Sequence, residues 1–200
     1  MSVGGSSAYA GMEDLLRLVK AALAAAAEEG FDNSCAPQQG RLLSLLAAGQ
    51  VGRSIGETGT GCGVGLVWML EAAGPSTSIT SIELDPHRAE RSAGLFAGCP
   101  NVTVLNGDWS GLRAHGPFDL LVLDGGGKGK NVGDDPPLDP TDGWVAMGGT
   151  VVLDDFTPAG EPGAPLHDPV RDYWLGHPAL RTTELRLSPT LATLVGMRVR

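Results

Sequence analysis

The sequence predicts an α/β fold, a mainly parallel sheet with helices on both faces and an antiparallel hairpin at its C-terminal end. Short β-rich runs alternate with helical ones from residue 53 onward, the pattern of successive βαβ units. Right-handed crossovers then distribute the helices over both faces of the sheet. Near the end, "LRTTELRLS" and "LATLVGMRVR" are separated only by Pro189 and Thr190. So short a link permits a hairpin but not a parallel crossover.

Taken in order, Met1 to Ser7 reads as a frayed tail. "MEDLLRLVKAALAAAAEEG" puts Leu15, Leu16, Val19, Leu23 and Ala26 at helical spacing, with Gly30 as a stop. "PQQGRLLSLLAAG" is a second helix, from Pro37 to Gly49. Residues 1–50 thus form a helical cap on an α/β core of residues 51–200, all within one domain. The core strands are "RSIGE", "SITSIEL", "VTVLNGD", "FDLLVLDGG" and "GGTVVLDDF". Between them lie the helices "GLVWMLEAA" and "PHRAERSAGLFAG" and a brief polar helix, and "HDPVRDYWLGHP" is a helix before the hairpin. Gly125 to Gly143, rich in Gly, Pro and Asp, reads as a surface or active-site loop.

Composition narrows the function. The 200 residues suffice for one domain with a real core, and 42% hydrophobic with 18% charged residues excludes a disordered or fibrous chain. A net charge of −9 argues against a nucleic-acid partner and favours a small-molecule one. No apolar run approaches the roughly 18 residues of a membrane span, and the N-terminus lacks a basic, apolar leader. No membrane partner and a cytoplasmic location are the expectation. Cys35, Cys62 and Cys99 stand far apart and read as reduced thiols. His87, His115, His167 and His177 lack metal-ligand spacing.

In open α/β sheets, ligands bind at the carboxyl ends of the strands. Every predicted parallel strand ends there in a carboxylate: Glu57, then Glu83 and Asp85, then Asp108, Asp124, and Asp154 with Asp155. The first strand runs into "ETGTGCGVG", with glycine at every second position from Gly59 to Gly65. A dinucleotide turn would need G-x-G-x-x-G, but the sixth position is Val64; a P-loop lysine is also missing. Glu57 would oppose a pyrophosphate. The ligand at this turn is therefore cationic or neutral. If the fourth and fifth strands are neighbours, Asp124, Asp154 and Asp155 meet, and either a proton or a hard cation relieves their repulsion. Otherwise, Asp124 supports the ligand, and Asp154 and Asp155 cap the loop beyond.

"ETGTGCGVG", "SIELDP", "NGD", "FDLLVLD" and "GGTVVLDD" resemble the successive motifs of class I S-adenosylmethionine-dependent methyltransferases. Their order is most similar to the small, COMT-like and caffeoyl-CoA O-methyltransferase group. The resemblance implies a Rossmann-like seven-stranded sheet and methyl transfer to a small acceptor, as well as a homodimer to which the N-terminal helices contribute. It implies that Gly59, Thr60, Gly61 and Gly63 admit the methionine part of S-adenosylmethionine, with Glu57 near its ammonium and sulfonium. Glu83, beside Leu84, accepts the ribose hydroxyls, and Asp108 meets the adenine amino group. Trp109 is either a wall against the ring or core packing. At Asp124, Asp154 and Asp155 the group holds Mg²⁺ or another divalent cation, and Asp124 also borders the cofactor. The group's catalytic lysine falls here at Gly127, leaving Lys128, Lys130 or neither as general base. Asp155 replaces the group's usual Asn. Two other functions compete: a catalytically silent cofactor-binding module and an NAD-type Rossmann oxidoreductase.

Overall fold

The structure, a computed structural model, describes residues 4–13, 15–130 and 136–200. A short 3₁₀ helix, Ser7–Tyr9, precedes α1 (Arg17–Glu28) and α2 (Pro37–Ala48). The alternating part follows as β1 (Ser54–Thr58), α3 (Val64–Ala73), β2 (Ser78–Glu83), α4 (Pro86–Leu95) and β3 (Val102–Asn106). A 3₁₀ helix, Trp109–His115, leads to β4 (Phe118–Leu123) and β5 (Val145–Phe156). α5 (Pro169–Gly176), β6 (Leu180–Arg186) and β7 (Ala192–Arg198) complete the chain.

The seven strands form one sheet in the order β3-β2-β1-β4-β5-β7-β6. β1 to β5 pair in parallel, whereas β7 runs antiparallel to both β5 and β6. The hairpin therefore inserts its second strand beside β5 and leaves β6 at the edge. β1 lies between β2 and β4, so strand order reverses there, and the carboxyl ends of these strands open a crevice.

Central strands covered on both faces read as continuous apolar runs, and β4 shows why. Leu120 and Val122 join a core with residues of α1, α2 and α3, while Leu121 and Leu123 join another with Trp174 of α5. All four are essentially inaccessible to solvent.

Three expectations change. α1 begins at Arg17, not Met12, because Met12 and Leu15 pack on the core from non-helical backbone. The described part of the N-terminal tail is tied down: Ser6 Oγ donates to Phe31 O at 2.9 Å, and Tyr9 Oη donates to Cys35 O at 2.9 Å. Of the loop expected over residues 125–143, residues 131–135 lie outside the described residues. β5 also starts three residues before the expected Gly148 and carries two register shifts. The second places one extra residue between Leu153, opposite Leu194, and Phe156, opposite Ala192. At this bulge Asp155 has φ +62°, the one positive value at a non-glycine among the described residues. Asp tolerates that region better than most side chains.

Candidate active site

At the end of β1, the Glu57 carboxylate is only 1% exposed. Ser81, its register partner on β2, donates to it at 2.6 Å, and the Ser81 and Thr60 hydroxyls are hydrogen-bonded at 2.6 Å. Burial pushes the Glu57 carboxyl up to about 8; Asp154 and Glu83 add to that, and the Ser81 hydrogen bond opposes it. A Cβ on Gly65 would lie 3.0 Å from Glu57 Oε1, so glycine lets the first turn of α3 sit on this carboxylate without displacing it.

At the end of β2, Glu83 receives the Gly61 N–H at 2.8 Å, the Asp85 N–H at 3.0 Å and Arg88 Nη2 at 3.2 Å. It borders a cleft of about 290 Å³ with Gly59, Leu84, Arg88, Asp108 and Trp109. The Asp108 side chain accepts the Ser110 N–H at 3.0 Å, capping the 3₁₀ turn that holds Trp109. Trp109 borders the cleft and also takes part in packing, its ring lying on Trp144 with centroids 5.7 Å apart. A Cβ on Gly126 would come within 2.1 Å of the Trp109 indole.

The glycine turn divides its duties. Gly59, at φ +85°, lets β1 pass the β4 loop, where a Cβ would meet Gly125 N at 2.6 Å. Gly61 and Thr60 border a gap of about 10 Å³ shared with Cys35 and Asp124, so the segment before α2 covers the turn. Gly63, at φ +88°, caps α3, and a Cβ there would face Phe96. Asp85 also leaves the acidic rim: it caps α4 by accepting the His87 and Arg88 N–H groups.

Asp124, Asp154 and Asp155 do come together. Each contributes a carboxylate oxygen, and these lie within 4.8 Å of one another. Among them sits the Lys128 ammonium, donating to Asp154 Oδ1 at 2.6 Å and to Asp124 O at 3.1 Å, with Asp155 Oδ2 at 3.9 Å. Lys128 is 5% exposed. Burial raises Asp124 well above the usual carboxylate range, as does its neighbour Asp154. Burial also acts against ionised Asp154, yet Lys128 overrides it and holds this carboxyl below its ordinary value. The two carboxyl groups are hydrogen-bonded to each other. Lys130 Nζ donates to Asp155 O at 2.5 Å and lies 3.5 Å from the centre of the Phe156 ring. Burial and the Lys128 charge push it down to about 8.

A family model described as a methyltransferase domain matches residues 57–156, half of the chain. The chain belongs to this methyltransferase family. It is 35% identical over 96 residues to a catechol O-methyltransferase of Mycobacterium tuberculosis, covering 44% of this chain and 42% of that protein. It is 36% identical over 114 residues to a putative O-methyltransferase of Mycobacterium avium, covering 52% and 51%. The chain thus spans about half the length of these curated relatives. Among solved structures, the O-methyltransferase TomG of Streptomyces achromogenes, in complex with SAM, superposes with a TM-score of 0.76 at 19% identity. That match covers 100% of this chain and 97% of TomG and concerns the fold.

The residues of this methyltransferase fit the family's cofactor. A buried carboxylate at Glu57, an acid at Glu83 and an indole wall suit a ligand with an ammonium, vicinal hydroxyls and an aromatic base. For a divalent ion the answer differs. The three carboxylates are the donor chemistry of a hard cation, but with Lys128 among them the residues present do not fit a metal as well. The sequence reading missed Ser81 and Arg88. Ser81 carried a usable signal, two residues before Glu83 on the same strand face; the pairing of Arg88 with Glu83 is fixed only by the entry angle of α4.

Proposed function

We propose that this chain transfers a methyl group from S-adenosylmethionine to an oxygen of a small-molecule acceptor. The observation that carries this reading is the pair of buried acids, Glu57 and Glu83, at the glycine turn beside an indole-walled cleft. A pyrophosphate-binding turn has no use for a buried acid at Glu57, which weighs against the oxidoreductase reading; Glu83 suits a ribose in either cofactor. The names of the O-methyltransferase relatives support oxygen as the acceptor. S-adenosylmethionine, when bound, supplies a methyl group on a positively charged sulfur.

The chain's own residues do the rest. Ionised Glu57 holds the ammonium, Glu83 takes hydroxyl donors, Asp108 takes an amino donor, and Trp109 covers the base. The segment before α2 closes over the glycine turn and excludes water. Lys128, held in its ion pair, keeps its proton. Lys130, lowered to about 8, takes the acceptor's proton near neutral pH. A second copy of the chain as partner belongs to the same proposal and is checked by light scattering.

Calorimetry with S-adenosylhomocysteine and with NAD, followed by transfer of a labelled methyl group to a panel of phenols and catechols, tests this reading. Binding of S-adenosylhomocysteine and labelled ether product is the expected result; binding of NAD alone would overturn it. The Lys128 ion pair occupies one of the two candidate bases and so favours one second reading, a cofactor-binding module without turnover. That reading gives binding with no labelled product on any acceptor.

A further inference from the structure

We propose that the Lys128 ammonium is the resident cation of the Asp124, Asp154 and Asp155 cluster, taking the place of a divalent ion. The first ground is occupancy. Lys128 Nζ donates to Asp154 Oδ1 at 2.6 Å and reaches within 3.9 Å of Asp155 Oδ2. A divalent ion bound through that Asp154 oxygen at about 2.1 Å would stand no more than about 4.7 Å from the ammonium. Like charges that close in a buried site repel strongly, because little water screens them.

The second ground is that the lysine is built in. Gly127 and Gly129 flank it at φ +91° and +89°, a left-handed pair that turns the intervening side chain inward. Trp174 Nε1 donates to Lys128 O at 3.0 Å, and Leu138 N donates to Gly127 O at 3.0 Å. The backbone is thus pinned on both sides, and the ammonium cannot leave without exposing three acids to one another. The third ground is sufficiency. The cluster already has relief from its repulsion in the ammonium, which reaches Asp154 Oδ1, Asp124 O and Asp155 Oδ2.

Mn²⁺ binding to the full chain without cofactor, read by electron paramagnetic resonance, tests this independently of the methyl-transfer reading. The wild-type protein is expected to leave Mn²⁺ free up to millimolar concentration. Lys128→Met, which keeps the apolar stem and removes the charge, is expected to bind at least about 100-fold more tightly. Adding Asp154→Asn to that variant should abolish the gain. Lys128→Gln is the substitute if the methionine variant does not fold, and circular dichroism reports folding. Micromolar Mn²⁺ binding by the wild type that is lost in Asp154→Asn would overturn the proposal. So would a folded neutral variant that binds no more tightly than the wild type. If neither variant folds, the wild-type measurement decides alone.

Discussion

Replacing Glu57 with Gln isolates the group that distinguishes this glycine turn from a phosphate site. In the empty protein the carboxyl sits near 8 against an ordinary 4.5, so at pH 7 it is protonated in about nine molecules of ten. A cation arriving beside it favours the ionised form. Binding of S-adenosylhomocysteine, whose ammonium is the probe, is then expected to release up to about 0.9 proton at pH 7. Calorimetry in two buffers of different ionisation enthalpy reads that number directly. Affinity should rise with pH up to about 8 and level off above it. Glu57→Gln should show neither the release nor the slope. The same group acts on stability with a definite sign. Its folded value is raised, so its contribution is fully present below about 4.5 and is lost as pH rises through about 8. The loss is on the order of 5 kcal/mol, visible in urea unfolding of the empty wild-type protein and absent in Glu57→Gln. Equal proton release by the two proteins at pH 7 would refute the reasoning.

Three further outcomes follow from the same geometry. Ser81→Ala removes the hydrogen bond that holds the Glu57 carboxyl down, so the proton-release profile should move to higher pH, as measured by the same calorimetry. Gly126→Ala would drive a Cβ into the Trp109 indole and should weaken S-adenosylhomocysteine binding at least about tenfold by displacing the wall. Trp109→Ala should cost about 1–3 kcal/mol of that affinity, the scale of one base stacked on an aromatic ring, and calorimetric Kd values check both variants.

Much of the fold was legible because it is periodic. Strand and helix patterns placed the five parallel strands and the terminal hairpin, and strand ends in an α/β sheet are where side chains meet a ligand. That logic found Glu83, Asp108 and Trp109 lining the crevice and Glu57 buried at the end of β1. It placed Asp85 there too, yet Asp85 lies past the last paired residue of β2 and finds donors in the first turn of α4. Gly63, read as a cofactor contact, also lets the start of α3 pack closely against Phe96. Neither difference is visible in spacing, since each depends on which way the backbone turns after the strand.

The acid cluster marks the boundary most clearly. The sequence by itself determined that three carboxylates stand at the ends of the fourth and fifth strands, and that if those strands were neighbours a proton or a cation had to join them; the pairing of β4 with β5 brings them together. Only the tertiary structure decided that the cation at hand is Lys128. The decision rests on a one-residue bulge at Asp155, two left-handed glycines around the lysine, and an indole of α5 holding the loop. These are contacts between segments far apart in the chain. The charge of a side chain is written in its residue type, but the partner that neutralises it is set by the distances at which folding leaves them.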